Sequence, residues 1–130
     1  MEVTTDTSVI MAVVLNEPSK ARLLEITEGV ELVSAPTLPW EVGNSLSALF
    51  KRGRIQLEQA KAALESFRAI PVRLGEVDVE RSVEMAWAQD IYAYDAYILE
   101  CARTYRTPLL SLDGRQRQVA QKLGITVMEV

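Results

Sequence analysis

The chain has 130 residues, 48% of them hydrophobic and 25% charged, with a formal net charge of −4. That composition argues against a disordered chain and suits a single domain over residues 1–130, and no apolar run approaches the roughly 20 residues that span a bilayer. Without histidine there is no Ser-His-Asp triad, Cys-His pair or His-bound zinc, and one cysteine excludes both an internal disulfide and a Cys₄ site.

Residues 2–6, "EVTTD", are short and β-branched and predict a first strand. "TSVIMAVVLN" (7–16) follows with apolar residues on several sides, and Glu17-Pro18-Ser19 breaks it. Ser19 is expected to cap a helix that runs through Ile26 and ends at Gly29. "VELVSA" (30–35) predicts a second strand before Pro36. The spacing of Leu38, Val42, Leu46 and Leu49 predicts a helix over 37–53, closed by Gly53. A helix with alternating charge on its outer face follows over 56–70, then Pro71 and a third strand over 72–77. Asp78 caps a predicted helix to Ile91.

A further helix is expected from about Tyr94 to Arg106, with Asp95 on the same inward face as Ile98, Leu99 and Ala102. "PLLSLD" (108–113) reads as a buried strand, "GRQRQVAQKLG" (114–124) as a final helix and "ITVMEV" (125–130) as a closing strand. Strands alternating with helices predict an α/β layer fold, a central mostly parallel sheet flanked by helices. Ligand sites in such sheets gather at the carboxyl ends of the strands.

Asp6 ends the first predicted strand, Asp113 ends the fourth, Glu41 enters the helix after the second, and Asp95 begins a helix leading back to the sheet. Four acids from distant parts of the chain can therefore converge on one edge. Two carboxylates about 5 Å apart repel by roughly 3 kcal/mol at an effective dielectric near 20, so such a cluster needs protons or cations. Carboxylates without histidine point to Mg²⁺ or Mn²⁺, and a divalent cation in an acid pocket suits phosphodiester hydrolysis. Thr7, Ser8, Asn44 and Ser111 lie close in sequence to these acids and can orient a carboxylate or a water.

Each acid also has a plainer use. Asp6 and Asp113 can cap the helices they precede, and Glu41 can be a first-turn acid favoured by the helix dipole. Tyr92, Tyr94 and Tyr97 are expected to pack, in preference to forming a base-stacking platform. Cys101 is expected to be an inert core thiol, and Lys51, Arg52, Arg54, Arg115, Arg117 and Lys122 to lie on solvated faces while supplying the only basic clusters for a phosphate backbone. The acid excess argues against a strongly basic nucleic-acid binder and fits a basic protein partner. No basic segment precedes an apolar stretch at the N-terminus, so a cytoplasmic location is expected.

The blocks "DTSV" (6–9), "AP" (35–36) with "EVGNSL" (41–46), "YDAYILECA" (94–102) and "PLLSLDGRQRQVAQKLGITV" (108–127), in this order and spacing, resemble the PIN-domain family. The likeness is greatest to the VapC-type toxins of toxin–antitoxin pairs. The resemblance implies a PIN-like three-layer fold and an endoribonuclease that cuts RNA, single-stranded or structured, with Mg²⁺ or Mn²⁺. It puts the family's four acids on Asp6, Glu41, Asp95 and Asp113, with Asp6 and Asp95 touching the metal most directly. It further implies a homodimer and a small antitoxin, with DNA contacted only through that antitoxin.

Three departures from the family pattern stand out. Thr4 and Thr5 occupy a strand that is usually more apolar, so partial burial is expected there. Ser111 replaces a common threonine, and Gly114 replaces a frequent basic residue, leaving phosphate contacts to Arg115 or Arg117. A receiver domain would need paired early acids and a late lysine, and a dehalogenase-type phosphatase a second aspartate where Ser8 stands. A PIN fold serving as an interaction or RNA-processing module without a toxin role is the remaining alternative.

Overall fold

The computed structural model describes residues 1–130. Its elements, in chain order, are β1 (Glu2–Thr5), α1 (Thr7–Val14), α2 (Lys20–Ile26), β2 (Glu31–Ser34), α3 (Leu38–Lys51), α4 (Leu57–Ala69), β3 (Val72–Leu74), α5 (Val79–Gln89), α6 (Ala93–Tyr105), β4 (Leu109–Leu110) and α7 (Gly114–Lys122). The strands form one all-parallel sheet in the order β3-β2-β1-β4. From β1 the chain moves outward through β2 to β3, then returns to place β4 on the other side of β1. The reversal makes the carboxyl ends of β1 and β4 a topological switch point, where a crevice opens in sheets of this kind.

Period-two alternation along the strands divides the core between the two faces of the sheet. Val3 and Leu110 pack with Val9, Ala12 and Leu23 on the side of α1 and α2. Leu38, Val42 and Leu46 extend that layer by packing α3 against Ile10 and Val14 of α1 and Ala60 and Ala63 of α4. On the opposite face Leu109 joins Met85, Ala96, Ile98, Leu99, Val119 and Ala120 from α5, α6 and α7. The result is the expected α/β three-layer arrangement. Every residue of α6 from Ile98 to Ala102 is buried, because the helix is wrapped by α5 and by the sheet. No helix is long and apolar enough to cross a membrane.

Four local expectations are corrected. Thr4 and Thr5 are fully buried, and their polar atoms are satisfied: the Thr4 and Thr107 hydroxyls lie 2.6 Å apart and Ser34 Oγ donates to the Thr5 carbonyl at 2.6 Å. Ser19 makes no side-chain cap because its own backbone is already helical. The closing strand shrinks to one parallel bridge, Leu109 to Val127. Tyr92 and Tyr94 near the start of α6, expected to pack, are largely exposed, and Tyr94 keeps only an edge contact with Tyr97.

Gly75 closes β3 under the ring of Tyr105. A Cβ at this position would lie 2.5 Å from the ring edge, while the Tyr105 hydroxyl accepts from the Glu76 amide at 2.7 Å and the ring carries Arg73 over its face at 4.8 Å. The ring is held from several directions and cannot withdraw without breaking these contacts. Gly75→Ala is therefore expected to lower the unfolding free energy by about 1–3 kcal/mol, the usual cost of overpacking, measurable as a reduced urea midpoint with an unchanged slope.

Candidate active site

The carboxyl edge at the switch point holds all four acids predicted from the sequence. Each stands at the N-terminus of a helix: Asp6 caps α1, Glu41 lies in the first turn of α3, Asp95 in the first turn of α6, and Asp113 caps α7. The capping use and the clustering are thus both realised. Asp6 accepts from the Val9 amide at 3.3 Å and Asp113 from the Gln116 amide at 3.0 Å. The partial positive charge at four converging helix N-termini offsets part of the repulsion among the carboxylates.

Asp6 is the best-held member, only 6% exposed. Ser8 Oγ donates to its Oδ1 and Ser111 Oγ to its Oδ2. Ser8 in turn accepts from the Leu112 amide at 2.9 Å, and Ser111 from the Asp113 amide at 3.1 Å. These bonds stitch the end of β1 to the end of β4. Glu41 is held by Thr7 Oγ1, which donates to Oε1 at 3.2 Å, and by Thr37 Oγ1, which donates to Oε2 at 2.7 Å. Thr37 had no role in the sequence reading; a hydroxyl four residues before a first-turn acid was the available signal. Asn44 does not bond to the acids and lines the cleft beside them.

Burial pushes Asp6 above the usual carboxylate range, against the lowering effect of its Ser111, Ser8 and Val9 hydrogen bonds, and Asp113 adds like-charge repulsion. Glu41 is raised by burial and by Asp95 and Asp6, with Thr37 and Thr7 opposing. Asp95 is raised by partial enclosure and by Asp113, although its side chain reaches solvent, which screens both effects. Like-charge repulsion thus reaches Asp6 from Asp113, Asp95 from Asp113, and Glu41 from Asp95 and Asp6, so all four acids act on one another's neighbourhood. None of the four forms an ion pair.

Asp95 shares a helical face with Ile98, Leu99 and Ala102 but is not buried with them. It is exposed in the first turn of α6, beyond the elements that cover the rest of that helix, while Ile98, Leu99 and Ala102 are buried as expected. The acid that does point inward is Glu100, 1% exposed, with Arg103 Nη2 at 3.2 Å from an Oε2 that lacks hydrogen-bond geometry. Cys101 is a buried thiol pushed up to about 11 by burial, consistent with an unreactive core residue.

Of the two arginines expected to meet phosphate, Arg117 donates to the carbonyls of Ser111 and Met128 at 3.0 and 3.1 Å, fastening the C-terminal segment beneath β4. Arg115 donates to the Gln89 carbonyl at 3.1 Å and is otherwise exposed. Lys51 and Arg52 end α3, about ten residues or roughly 15 Å along the helix from Glu41.

The donor set is entirely oxygen, which suits a hard divalent cation. No three of the acids are gathered closely enough to hold one ion as a ready cage.

The family model for the PIN domain matches residues 3–122, and the chain belongs to the PIN-domain family, whose members are generally metal-dependent nucleases. Among solved structures it is similar to the crystal structure of PAE2754 from Pyrobaculum aerophilum, with a TM-score of 0.71 at 17% identity over 92% of this chain and 87% of that one. That similarity shows the fold. No curated protein matches the chain.

The raised pKa of Asp95 fixes the sign of a pH effect. Its ionised form is disfavoured in the folded state, so the penalty is absent below its ordinary value of 3.8, where both states are protonated, and grows as pH rises through the raised folded value. Asp95→Asn is expected to raise the melting temperature in chelator at pH 7 by roughly 2–4 °C, an advantage that fades on acidification to about pH 3. Millimolar Mg²⁺ should raise the wild-type melting temperature more than the variant's. Calorimetry at matched pH checks both.

Proposed function

We propose that this chain is a Mg²⁺- or Mn²⁺-dependent endoribonuclease, the toxin of a toxin–antitoxin pair acting in the cytoplasm, and that Asp6, Glu41, Asp95 and Asp113 form its catalytic site. The observation that carries the proposal is the ring of four carboxylates on four helix N-termini with no basic side chain to neutralise it. A bound divalent cation supplies neutralisation of the scissile phosphate and acidifies a bound water. Asp6 and Asp95 are the residues to hold it. Ser8, Ser111 and the Val9 amide fix the position of the Asp6 carboxylate. Glu41, lifted toward neutrality and clamped by two threonines, is suited to take up the proton released by the attacking water at a carboxylate oxygen. Arg115, exposed two residues after Asp113, is the basic side chain proposed to meet a phosphate of the RNA backbone.

The toxin role is supported by the sequence likeness to VapC-type toxins and by an acid-lined site that a basic antitoxin residue would complement. The homodimer is supported by an apolar stripe along α5, where Val79, Val83 and Trp87 are 60, 53 and 89% exposed. An RNA-processing role without toxicity would leave the same cleavage chemistry but no growth arrest on expression.

Purified protein is expected to cleave single-stranded RNA in Mg²⁺ or Mn²⁺ and to stop in chelator. Asp6→Asn and Asp95→Asn should each reduce the rate at least about 100-fold, and Ser111→Ala about 10-fold; unchanged rates in the two aspartate variants would remove the four-acid site. Val83→Glu should convert a dimer to a monomer by light scattering and leave the acid cluster intact.

A further inference from the structure

Beside the acid ring a cavity of about 480 Å³ opens between the first turns of α3 and α6, lined by Thr7, Trp40, Glu41, Asn44, Ser45 and Tyr94. Trp40 is 73% and Tyr94 59% exposed, so two large aromatic surfaces stand in water at the edge of a charged site. Tyr94 meets Tyr97 edge-on, with centroids 5.9 Å apart and an 84° interplanar angle. That contact orients the Tyr94 ring and leaves more than half of its surface in solvent. Asn44 lies one helical turn after Trp40 and Ser45 one turn after Glu41, so one wall carries an aromatic ring beside an amide and a hydroxyl.

We propose that this cavity is a nucleobase pocket, in which an unpaired base of the RNA stacks on Trp40 and Tyr94 while Asn44 and Ser45 meet its polar edge. The proposal rests on the nuclease function assigned to the acid ring. Thr7 and Glu41 belong to both places and bond to each other, so a strand with its phosphate at the acids has a neighbouring base at the cavity. A base offers what the pocket offers in return: a π face for the aromatic rings and donors and acceptors on its edge. An apolar side chain from a protein would leave the amide and hydroxyl without partners. A base already paired in a duplex cannot enter, which makes the site selective for single strands.

Trp87→Phe leaves Trp40 as the sole tryptophan, and its fluorescence is the readout. In Ca²⁺, with the RNA checked to be intact, a mixed-sequence single-stranded RNA hexamer is expected to quench Trp40 saturably, whereas a duplex of related sequence is not. Binding of the same hexamer carrying a terminal dye should weaken about tenfold in Trp40→Leu and in Tyr94→Leu, and Trp40→Phe should restore most of it. Circular dichroism checks that each variant is folded. Equal quenching by single and double strands, or Trp40→Leu binding as well as Trp40→Phe, would overturn the pocket. So would quenching that follows protein concentration in sedimentation, which would mark Trp40 as a self-association surface. Cleavage in Mg²⁺ is followed in parallel. A Trp40→Leu protein that cuts RNA with unchanged KM sinks the pocket and leaves the nuclease standing; a wild type that binds through Trp40 yet cuts nothing does the reverse.

Discussion

Mutual repulsion among Asp6, Glu41, Asp95 and Asp113 is the constraint around which the carboxyl edge of the sheet is organised. Four negative charges drawn to one crevice would oppose folding if nothing else acted there. Four helix N-termini converge on the same point, and hydroxyls from Thr7, Ser8, Thr37 and Ser111 donate to the two most enclosed carboxylates. These groups hold the acids in place without neutralising them. The remaining charge is what a divalent cation and a phosphate chain can use.

The fold produces that convergence by its strand order. Because the chain reverses direction across β1, the ends of β1 and β4 become neighbours although more than a hundred residues separate Asp6 from Ser111. The bond between those two residues joins the last strand to the first, and Arg117 then ties the C-terminal segment to the same junction. The polar interior of β1 belongs to this scheme. Thr4 and Thr5 are tolerated in the interior because the Thr4 hydroxyl pairs with Thr107, the Thr5 hydroxyl donates to the Asp6 carbonyl and Ser34 donates to the Thr5 carbonyl.

Stability and activity are set against each other here. The core on either face of the sheet is apolar and closely packed, whereas the crevice stores unfavourable charge and leaves Trp40 and Tyr94 in water. Folded-state strain of this kind persists only where the surrounding structure outweighs it. Its placement at the rim, beyond the packed middle of α6, keeps the cost local.

The sequence by itself determined the alternation of strands and helices, the parallel sheet and the four acids, because local periodicity, caps and breakers are short-range properties that each segment carries alone. Tertiary structure decided where each side chain points relative to elements distant in sequence. Asp95 shares the face of Ile98, Leu99 and Ala102 and yet stands exposed, while Glu100, five residues on and turned to another face of α6, is the acid of that helix that is buried. Helical spacing specifies which residues share a face, but not how far along the helix its neighbours extend to cover that face. The same reason explains the closing segment reduced to one bridge, the arginine absorbed by two carbonyls, and Tyr94 and Trp40 left facing an open cavity. Those outcomes depend on which surfaces other elements reach, and only the packed molecule contains that information.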